Sequence, residues 1–537
     1  MSIMEFSALV AALQNPRIYP EHPNQVESLQ THVSAIFLTG EYVYKVKKPV
    51  DFGFLDFTTL EKRKFYCGQE VELNRRLCPE IYLGVVEIRS HQGQISLGEG
   101  PGGIIEYAVR MKQLPQDCMM DRWLARGAIT SGLLQKIAAK IAHFHLHADT
   151  NPQIAPYGRI DTIRGNVEEN FTQTEKYVDL SISAESFQEI KGSIRRFMQN
   201  QLPLFEKRMA TGKIRDCHGD LHLQHICLTD EVLIFDCLEF NQRFRYSDVA
   251  ADIAFLLMDL DFHGYPLISA ELASRYLDIS RDWPLFLLLD FYKSYRAYVR
   301  GKVISFLLDD PAISAAEKGS ALGEARRYFH LAHHYAMRLN RLALFITCGL
   351  VGTGKSTIAR ALSEALGWER VSSDILRKEL AHLAPGEHRY EKFHQGIYSP
   401  DFSRKTYRTL LDRARANLSA GISVIIDASF KKEIDRQEAW ALARQANADF
   451  LVMECRVEEE EVKRRLARRP TDGSEPSDGR WELFADQKED FERVEGMGPD
   501  FHLLLNTQAS VEECFGVIFQ HLLQKAGREL PALLGSK

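Results

Sequence analysis

The sequence has no stretch that approaches the roughly 20 consecutive apolar residues of a membrane-spanning helix. Its first residues, MSIMEFSALVAALQNPRIYP, have no basic start, and their apolar run stops before Gln14 and Pro16, so we expect no secretory signal peptide. The 9 cysteines are scattered without a CxxC pair, which argues against a disulfide or zinc framework and suits reduced thiols. We therefore expect a cytoplasmic protein without a membrane partner.

The sequence also lacks an excess of positive charge. It has 67 Lys and Arg against 73 Asp and Glu, for a formal net charge of −6. Non-specific electrostatic binding of nucleic acid needs a concentration of Lys and Arg facing the phosphate backbone. We therefore expect a small-molecule partner rather than nucleic acid.

No internal repeat or low-complexity tract interrupts the chain, whose 537 residues are enough for two to four domains. Residues 32–50 contain two β-rich runs around a Thr-Gly-Glu turn, which predicts a hairpin. Near Arg341 the pattern changes to an apolar strand, a glycine loop and a helix closed by Gly367, the opening unit of a parallel α/β domain. These features predict two domains, residues 1–335 and 341–537.

The segment GLVGTGKS matches the pattern G-x-x-x-x-G-K-[ST] between a predicted strand and a predicted helix. In such a loop the glycines allow backbone N–H groups to surround phosphates, the lysine reaches the outer phosphates, and the serine hydroxyl binds magnesium. The pattern predicts a site for ATP and Mg²⁺. The residues expected to hold the nucleotide are Gly349, Gly352, Thr353, Gly354, Lys355, Ser356 and Thr357.

Ser373 and Asp374 follow a short predicted strand, and Arg377 lies one helical turn later. An aspartate there is placed to accept the proton of an acceptor hydroxyl, and the arginine to hold the acceptor or the transferred phosphate. Lys355, Asp374 and Arg377 are therefore the predicted catalytic residues of this domain. The alternative is that Ser373 or Asp374 only caps the following helix.

Two further segments complete the predicted carboxy-terminal site. The strand VIID ends in Asp427, where a carboxylate is expected to support magnesium. In the helix EEEEVKRRLARR, one of Arg464, Arg468 and Arg469 is predicted to close over the phosphates, and Arg468 is the favoured one. The alternative is a solvated helix stabilised by pairs of acids and bases four residues apart.

The amino-terminal part contains CHGDLHLQH, and an apolar run that ends in Asp236 follows it. A loop aspartate followed by an aspartate at a strand end is an arrangement in which the first, Asp220, orients the acceptor hydroxyl and the second binds magnesium. Such a centre also needs a lysine on a strand and a glutamate on a helix. Lys45 and Glu70 meet that need, and Lys47 competes with Lys45 because both side chains point to the same face of a strand.

The motifs of the two parts of the chain resemble those of two known families. The carboxy-terminal part resembles the P-loop kinases of the polynucleotide-kinase, gluconate-kinase and zeta-toxin kind. Residues 30–265 resemble the aminoglycoside phosphotransferase and choline kinase branch of the protein-kinase-like fold. The second resemblance implies that Lys45 pairs with Glu70 and contacts the nucleotide phosphates, and that Asp252 braces the catalytic loop. His225 stands where that family has an asparagine that holds magnesium.

The whole chain resembles bacterial fusions of these two parts. The implied architecture is an α+β bilobal protein-kinase-like domain followed by an α/β P-loop NTPase domain with a parallel sheet. The implied function is ATP- and magnesium-dependent phosphate transfer to hydroxyl groups of a small molecule, with two candidate active centres. One alternative is a ligand-binding pseudokinase domain coupled to a P-loop ATPase switch, and another is a kinase of nucleic-acid 5′-hydroxyls.

Overall fold

The computed structural model describes residues 3–384, 386–468 and 477–530. Within them the chain forms two compact units. The first unit contains the chain up to Ser280 together with Tyr292–His333. The second contains Arg281–Phe291 and the chain from His334 onward.

The first unit begins with an antiparallel sheet of 6 strands, in the order β1-β2-β3-β6-β4-β5. The strands are β1 (Glu27–Gln30), β2 (Ser34–Leu38), β3 (Tyr42–Lys47), β4 (Tyr82–His91), β5 (Gln94–Leu97) and β6 (Gly103–Lys112). The predicted hairpin is confirmed, because β2 and β3 pair antiparallel with Ser34 opposite Lys47. The side chains of Phe37, Tyr44 and Val46 form a buried cluster with those of the amino-terminal helix.

Helices supply most of the remainder of the first unit. They are α1 (Ile3–Leu13), α2 (Leu60–Asn74), α3 (Met120–Ala125), α4 (Ser131–His147), α5 (Ile160–Thr174), α6 (Ala184–Asn200), α7 (Leu202–Ala210), α8 (Gln242–Arg245), α9 (Val249–Phe262), α10 (Pro266–Ser280), α11 (Leu289–Phe306) and α12 (Ala315–Arg338). The first three residues of α11 and the last five of α12 belong to the second unit. Helix α2 begins after Thr59, whose hydroxyl accepts a hydrogen bond from the Lys62 N–H and so caps the first turn.

Two short strand pairs lie among these helices. β7 (Ile214–Asp216) pairs antiparallel with β10 (Tyr246–Asp248), and β8 (Ile226–Leu228) pairs antiparallel with β9 (Val232–Ile234). Cys227 and Leu233 of the second pair share a buried cluster with Val71 of α2 and Val109 of β6. This cluster joins the helical part to the six-stranded sheet, so the first unit has the two-lobed α+β fold that was predicted.

The second unit has a parallel sheet of 5 strands, in the order β12-β13-β11-β14-β15. The strands are β11 (Ala343–Cys348), β12 (Glu369–Ser372), β13 (Val424–Asp427), β14 (Asp449–Arg456) and β15 (His502–Asn506). All six residues of β11 are buried, as expected for the central strand of a parallel sheet. The predicted α/β fold with a parallel sheet is therefore confirmed.

The helices of the second unit are α13 (Lys355–Leu366), α14 (Ser373–Leu380), α15 (Pro400–Ser419), α16 (Glu433–Gln445), α17 (Glu459–Ala467), α18 (Phe484–Glu489) and α19 (Val511–Glu529). Helix α13 ends at Gly367, whose φ of 69° is left-handed and suits glycine. The strand order reverses at β11, and ligands of open α/β sheets bind outside the strand ends at such a point. Among the residues described, no helix is long and apolar enough to span a membrane.

Candidate functional site

The loop between β11 and α13 takes the shape that its glycines allow. Gly349, Gly352 and Gly354 have φ values of 130°, 76° and 84°, which side chains rarely adopt. A Cβ at Gly349 would also lie 2.5 Å from the carbonyl oxygen of Cys455, and a Cβ at Gly352 would lie 2.9 Å from Val462. The loop is therefore packed against its neighbours where only glycine fits, as in loops whose backbone N–H groups bind a phosphate.

Lys355 and Ser356 open helix α13 immediately after this loop. The Lys355 ammonium group donates a hydrogen bond of 2.6 Å to the carbonyl oxygen of Leu350, within the same loop. Burial lowers the pKa of Lys355. The Ser356 hydroxyl donates a hydrogen bond of 3.0 Å to Asp427 Oδ1. These two oxygens meet beside the phosphate loop and are the ligand type that Mg²⁺ prefers.

Asp427 ends strand β13 and is only 3% exposed. Burial raises its pKa, and the negative charge of Asp374 raises it further. Arg370 of β12 donates a hydrogen bond of 2.8 Å to Asp427 Oδ2 and so balances part of this charge. The sequence did not single out Arg370, because its proximity to Asp427 follows from the pairing of β12 with β13.

Asp374 and Arg377 lie on helix α14, one turn apart. The residue at the N-cap position is Ser372, without a side-chain capping bond, and Asp374 lies inside the first turn. The capping alternative for Ser373 or Asp374 is therefore wrong. Arg377 donates hydrogen bonds to the carbonyl oxygen of Ile397 and to Ser403, and its guanidinium lies 4.8 Å from the centre of the Tyr398 ring. These contacts hold Arg377 in one orientation.

One cavity of about 1170 Å³ brings these residues together. Its lining includes the phosphate-loop residues Gly352, Gly354, Lys355, Ser356 and Thr357, together with Asp374, Arg377, Asp427, Arg465 and Arg468. Further basic residues line the same cavity, namely Lys392, His394, Arg404, Lys431 and Lys432. The space is large enough for a nucleotide and a second small molecule at once.

Helix α17 lies against the phosphate loop through Val462 and Leu466, which are the nearest atoms to a Cβ at Gly352. Arg465, on the same face, donates a hydrogen bond of 2.6 Å to the carbonyl oxygen of Thr507 and lines the cavity. Arg464 is 60% exposed and pairs with Glu461. Arg465 also pairs with Glu461 at 2.8 Å, so the helix carries the predicted acid–base pairs as well as a cavity-facing side.

The arginines named from the sequence therefore have different positions. Arg468, at the end of α17, lines the cavity, whereas Arg464 is outside its lining. Arg469 lies outside the described residues. Sequence inspection missed Arg465, although its spacing of three from Val462 places both on one face of the helix.

The amino-terminal candidate site is built around two lysines of β3. The Lys45 ammonium group lies 2.9 Å from Glu70 Oε1 and 2.7 Å from Asp236 Oδ1. The Lys47 ammonium group lies 2.6 Å from Glu70 Oε2, contacts Glu239 and is 1% exposed. Burial opposes the charge of Lys45, but the carboxylates of Asp236 and Glu70 raise its pKa well above the usual value.

These contacts separate the two lysines that the sequence left as rivals. Both reach Glu70, but Lys45 alone of the two contacts the predicted metal ligand Asp236. Lys47 instead lies between two buried carboxylates, Glu70 and Glu239. Lys45 therefore lies at the accessible side of the cluster, and Lys47 lies at its buried side. Glu239 was not predicted, since its role depends on this long-range contact.

The loop CHGDLHLQH is held from beneath by Asp252, which accepts hydrogen bonds of 2.9 Å and 2.8 Å from the N–H groups of His218 and Gly219. His145 Nε2 lies 3.1 Å from Asp252 Oδ2, and His145 Nδ1 lies 2.8 Å from the Tyr276 hydroxyl. This is the bracing contact that the family resemblance implies for Asp252. The Asp252 pKa is lowered to about 2, because hydrogen bonding to and charge from His145 outweigh burial.

Asp220 lies above this brace, among three histidines. His222 Nε2 is 3.6 Å from its Oδ2, and His225 Nδ1 is 2.9 Å from its carbonyl oxygen. Burial opposes its ionisation, but the neighbouring His222, His225 and His218 hold the pKa of Asp220 well below its usual value. An ionised carboxylate in this place is able to accept a hydrogen bond from an acceptor hydroxyl.

Asp236 follows strand β9 with a φ of 61°, a left-handed conformation that is uncommon outside glycine and asparagine. Its N–H donates a hydrogen bond of 3.2 Å to the Tyr82 hydroxyl. The N–H of the next residue, Cys237, donates a hydrogen bond of 2.8 Å to Asn74 Oδ1. These contacts turn the Asp236 carboxylate toward Lys45, whose ammonium lowers the pKa of Asp236 against the effect of burial. Tyr82 and Asn74 were not identified from the sequence.

This chain is similar to a family model, to curated proteins and to solved structures. A family model described as an AAA domain matches residues 344–494. Uncharacterized protein Rv2004c of Mycobacterium tuberculosis is 31% identical over 431 residues, which cover 80% of this chain and 83% of that protein. Among solved structures, a choline/ethanolamine kinase family protein from Mesorhizobium loti is 11% identical and covers 62% of this chain and 99% of its own, with a TM-score of 0.36. A gluconokinase from Sinorhizobium meliloti is 16% identical and covers 35% and 93%, with a TM-score of 0.25.

Proposed function

This chain belongs to the same family as the uncharacterized mycobacterial protein Rv2004c, and we propose that it is an ATP- and magnesium-dependent phosphotransferase acting on hydroxyl groups of a small molecule in the cytoplasm. The two predicted folds are both present, and they support this proposal. The observation that best supports the finer proposal is that the phosphate loop, Asp374 and Asp427 line one cavity.

In this proposal the residues of the second unit divide the work of phosphate transfer. The loop N–H groups and Lys355 hold the outer phosphates, where negative charge must be stabilised in the transition state. Asp374, which lines the same cavity, accepts the proton of the acceptor hydroxyl. Arg377 is fixed by Ser403 and Tyr398 and positions the acceptor.

Magnesium fits the oxygens of the second unit. Ser356 Oγ and Asp427 Oδ1, 3.0 Å apart, would hold the ion beside the phosphates. When bound there, it supplies positive charge to the transferred phosphate. In the first unit the donor set differs, because the imidazole of His225 stands 3.5 Å from the Asp236 carboxylate.

We extend the proposal of phosphate transfer to the first unit as a second active centre. Lys45 contacts both Glu70 and Asp236, and Asp220 lies on a loop braced by Asp252. This geometry supports a centre in which Lys45 holds nucleotide phosphates and Asp220 orients the acceptor hydroxyl. With two such centres in one chain, the product of the first phosphate transfer would serve as the acceptor of the second.

The test uses the full-length protein with ATP labelled in its outer phosphate and a mixture of small hydroxyl compounds. We expect label on at least one compound. Lys355→Ala should remove most of the transfer by the second unit. Asp374→Asn should keep ATP binding but reduce transfer roughly 10²-fold, the usual range for a general base.

The matched control is Glu379→Gln, an exposed carboxylate on the same helix as Asp374 that pairs with Arg413. Its transfer rate should stay within about twofold of the wild type, as expected for an exposed ion pair. ATP hydrolysis that never labels a compound would contradict the proposal and favour the ATPase switch. Label found only on oligonucleotides would favour the nucleic-acid kinase.

A further inference from the structure

His225 presents one of its ring nitrogens to the site as a bare electron pair. Its Nδ1 lies 2.9 Å from the carbonyl oxygen of Asp220. A carbonyl oxygen only accepts hydrogen bonds, so Nδ1 carries the hydrogen and the neutral ring has its lone pair on Nε2. A histidine fixed in this way by one nitrogen is prepared to bind a metal ion through the other.

The bare Nε2 faces a carboxylate. It lies 3.5 Å from Asp236 Oδ2 and makes no hydrogen bond with the residues that the structure describes. Two ligands of one tetrahedral ion with bonds of 2.0 to 2.2 Å are separated by about 3.4 Å. His225 and Asp236 therefore have the spacing of two ligands of one ion. The Asp236 side chain is 39% exposed, which leaves access for an ion.

The other histidines of the loop differ from His225. His218 contacts the Phe235 carbonyl oxygen through Nε2 and accepts from the Asp220 N–H through Nδ1, so both of its nitrogens are occupied. His222 accepts a long hydrogen bond from the Gln224 N–H through Nδ1. Nevertheless, ligand atoms of Asp220, His222 and His225 lie within 4.8 Å of one another, so further donors are close to the first pair.

This donor set does not suit magnesium. Mg²⁺ prefers six oxygen ligands in octahedral geometry, whereas imidazole suits Zn²⁺, Co²⁺, Ni²⁺ and similar transition-metal ions. We propose that the amino-terminal centre binds a divalent transition-metal ion in preference to Mg²⁺, through His225 Nε2 and the Asp236 carboxylate. This metal assignment deepens the proposed function and rests on it for the role of Asp236. Metal binding itself is expected without ATP turnover, so it can be measured separately from phosphate transfer.

The test measures binding of Co²⁺ to the untagged, chelator-treated full-length protein without nucleotide, through the visible absorption of the bound ion. We expect one Co²⁺ per chain at this site, which a hundredfold excess of Mg²⁺ does not displace. His225→Asn and Asp236→Asn should each weaken Co²⁺ binding by at least about tenfold. His225→Asn should also improve binding of Mg²⁺, because an amide oxygen replaces the imidazole nitrogen.

His147→Asn is the control, since the exposed rings of His143 and His147 stack at 4.1 Å and are a competing pair of nitrogens. Its Co²⁺ binding should equal that of the wild type. Circular dichroism and thermal unfolding check that the variants fold, and His225→Gln repeats the test with a longer amide. Equal Co²⁺ affinity in wild type and both His225 variants, or displacement by equimolar Mg²⁺, would overturn the metal assignment. Phosphate transfer from ATP is measured separately, so either result leaves the proposed function to its own test.

Discussion

His218 is a buried histidine that the fold holds in its neutral form. Its Nε2 donates to the Phe235 carbonyl oxygen at 3.0 Å, and its Nδ1 accepts from the Asp220 N–H at 3.3 Å. A second proton on the ring would face that N–H. Burial lowers the His218 pKa from 6.5 to about 4, although the negative charge of Asp252 opposes this shift.

This shift predicts how stability depends on pH. Between pH 6.5 and about 4 the unfolded chain binds a proton that folded His218 does not, so stability rises with pH across this window and is lost as the pH falls. From pH 7 to pH 5 the loss should be roughly 2 kcal/mol of unfolding free energy. His218→Asn should remove that part of the pH dependence, as measured by urea unfolding at both pH values.

The control for this prediction is the exposed residue His147, whose replacement by Asn should leave the pH dependence of the wild type unchanged. The asparagine at position 218 is itself expected to be destabilising, because it replaces a fully buried ring. The comparison is therefore made between the two pH values within each variant. An unchanged difference in His218→Asn would mean that this histidine does not titrate in the predicted window.

At the level of elements, the orientation of helix α17 determines which of its arginines line the cavity. Val462 and Leu466 fix its face against Gly352, and Arg465 lies between them and lines the cavity. We expect Arg465→Ala to reduce phosphate transfer roughly 10²-fold, as for loss of one fixed donor to a transition-state charge. Steady-state transfer assays measure this effect.

Arg464→Ala is the matched control, because this neighbouring side chain is 60% exposed and pairs with Glu461. Its rate should stay within about twofold of the wild type. Arg465→Lys tests whether charge alone suffices, since a lysine keeps the charge but not the hydrogen-bonding geometry of the guanidinium toward Thr507. Equal losses in Arg464→Ala and Arg465→Ala would show that the helix face does not select the arginine.

Elements that local chemistry determines could be predicted from the sequence. The glycine at 367 ends α13 in a left-handed conformation, and the apolar run VIID forms β13 with Asp427 at its end. Positions that depend on tertiary register could not. The burial of Lys47 between Glu70 and Glu239, and the contact of Arg370 with Asp427, require strands or loops distant in sequence to meet.

At the scale of the molecule, the match to Rv2004c concerns the presence of both units in one chain. The matched 431 residues are more than either compact unit contains, so the relative shares parts of both. Both units also have a lysine beside acidic residues at a candidate phosphate site, Lys45 in the first and Lys355 in the second. A chain built in this way is expected to bind two nucleotides.

The number of bound nucleotides distinguishes a double kinase from a switch with a ligand-binding scaffold. With Mg²⁺ and Mn²⁺ present, isothermal titration with a non-hydrolysable ATP analogue should give two sites per chain. Lys355→Ala and Lys45→Ala should each leave one site, because each removes the cation for one set of phosphates. Lys45→Ala should fold, since Glu70 keeps Lys47 as a partner at 2.6 Å. The double variant should bind none. One site in the wild type, lost in Lys355→Ala and kept in Lys45→Ala, would instead make the first unit a domain that binds its ligand without ATP.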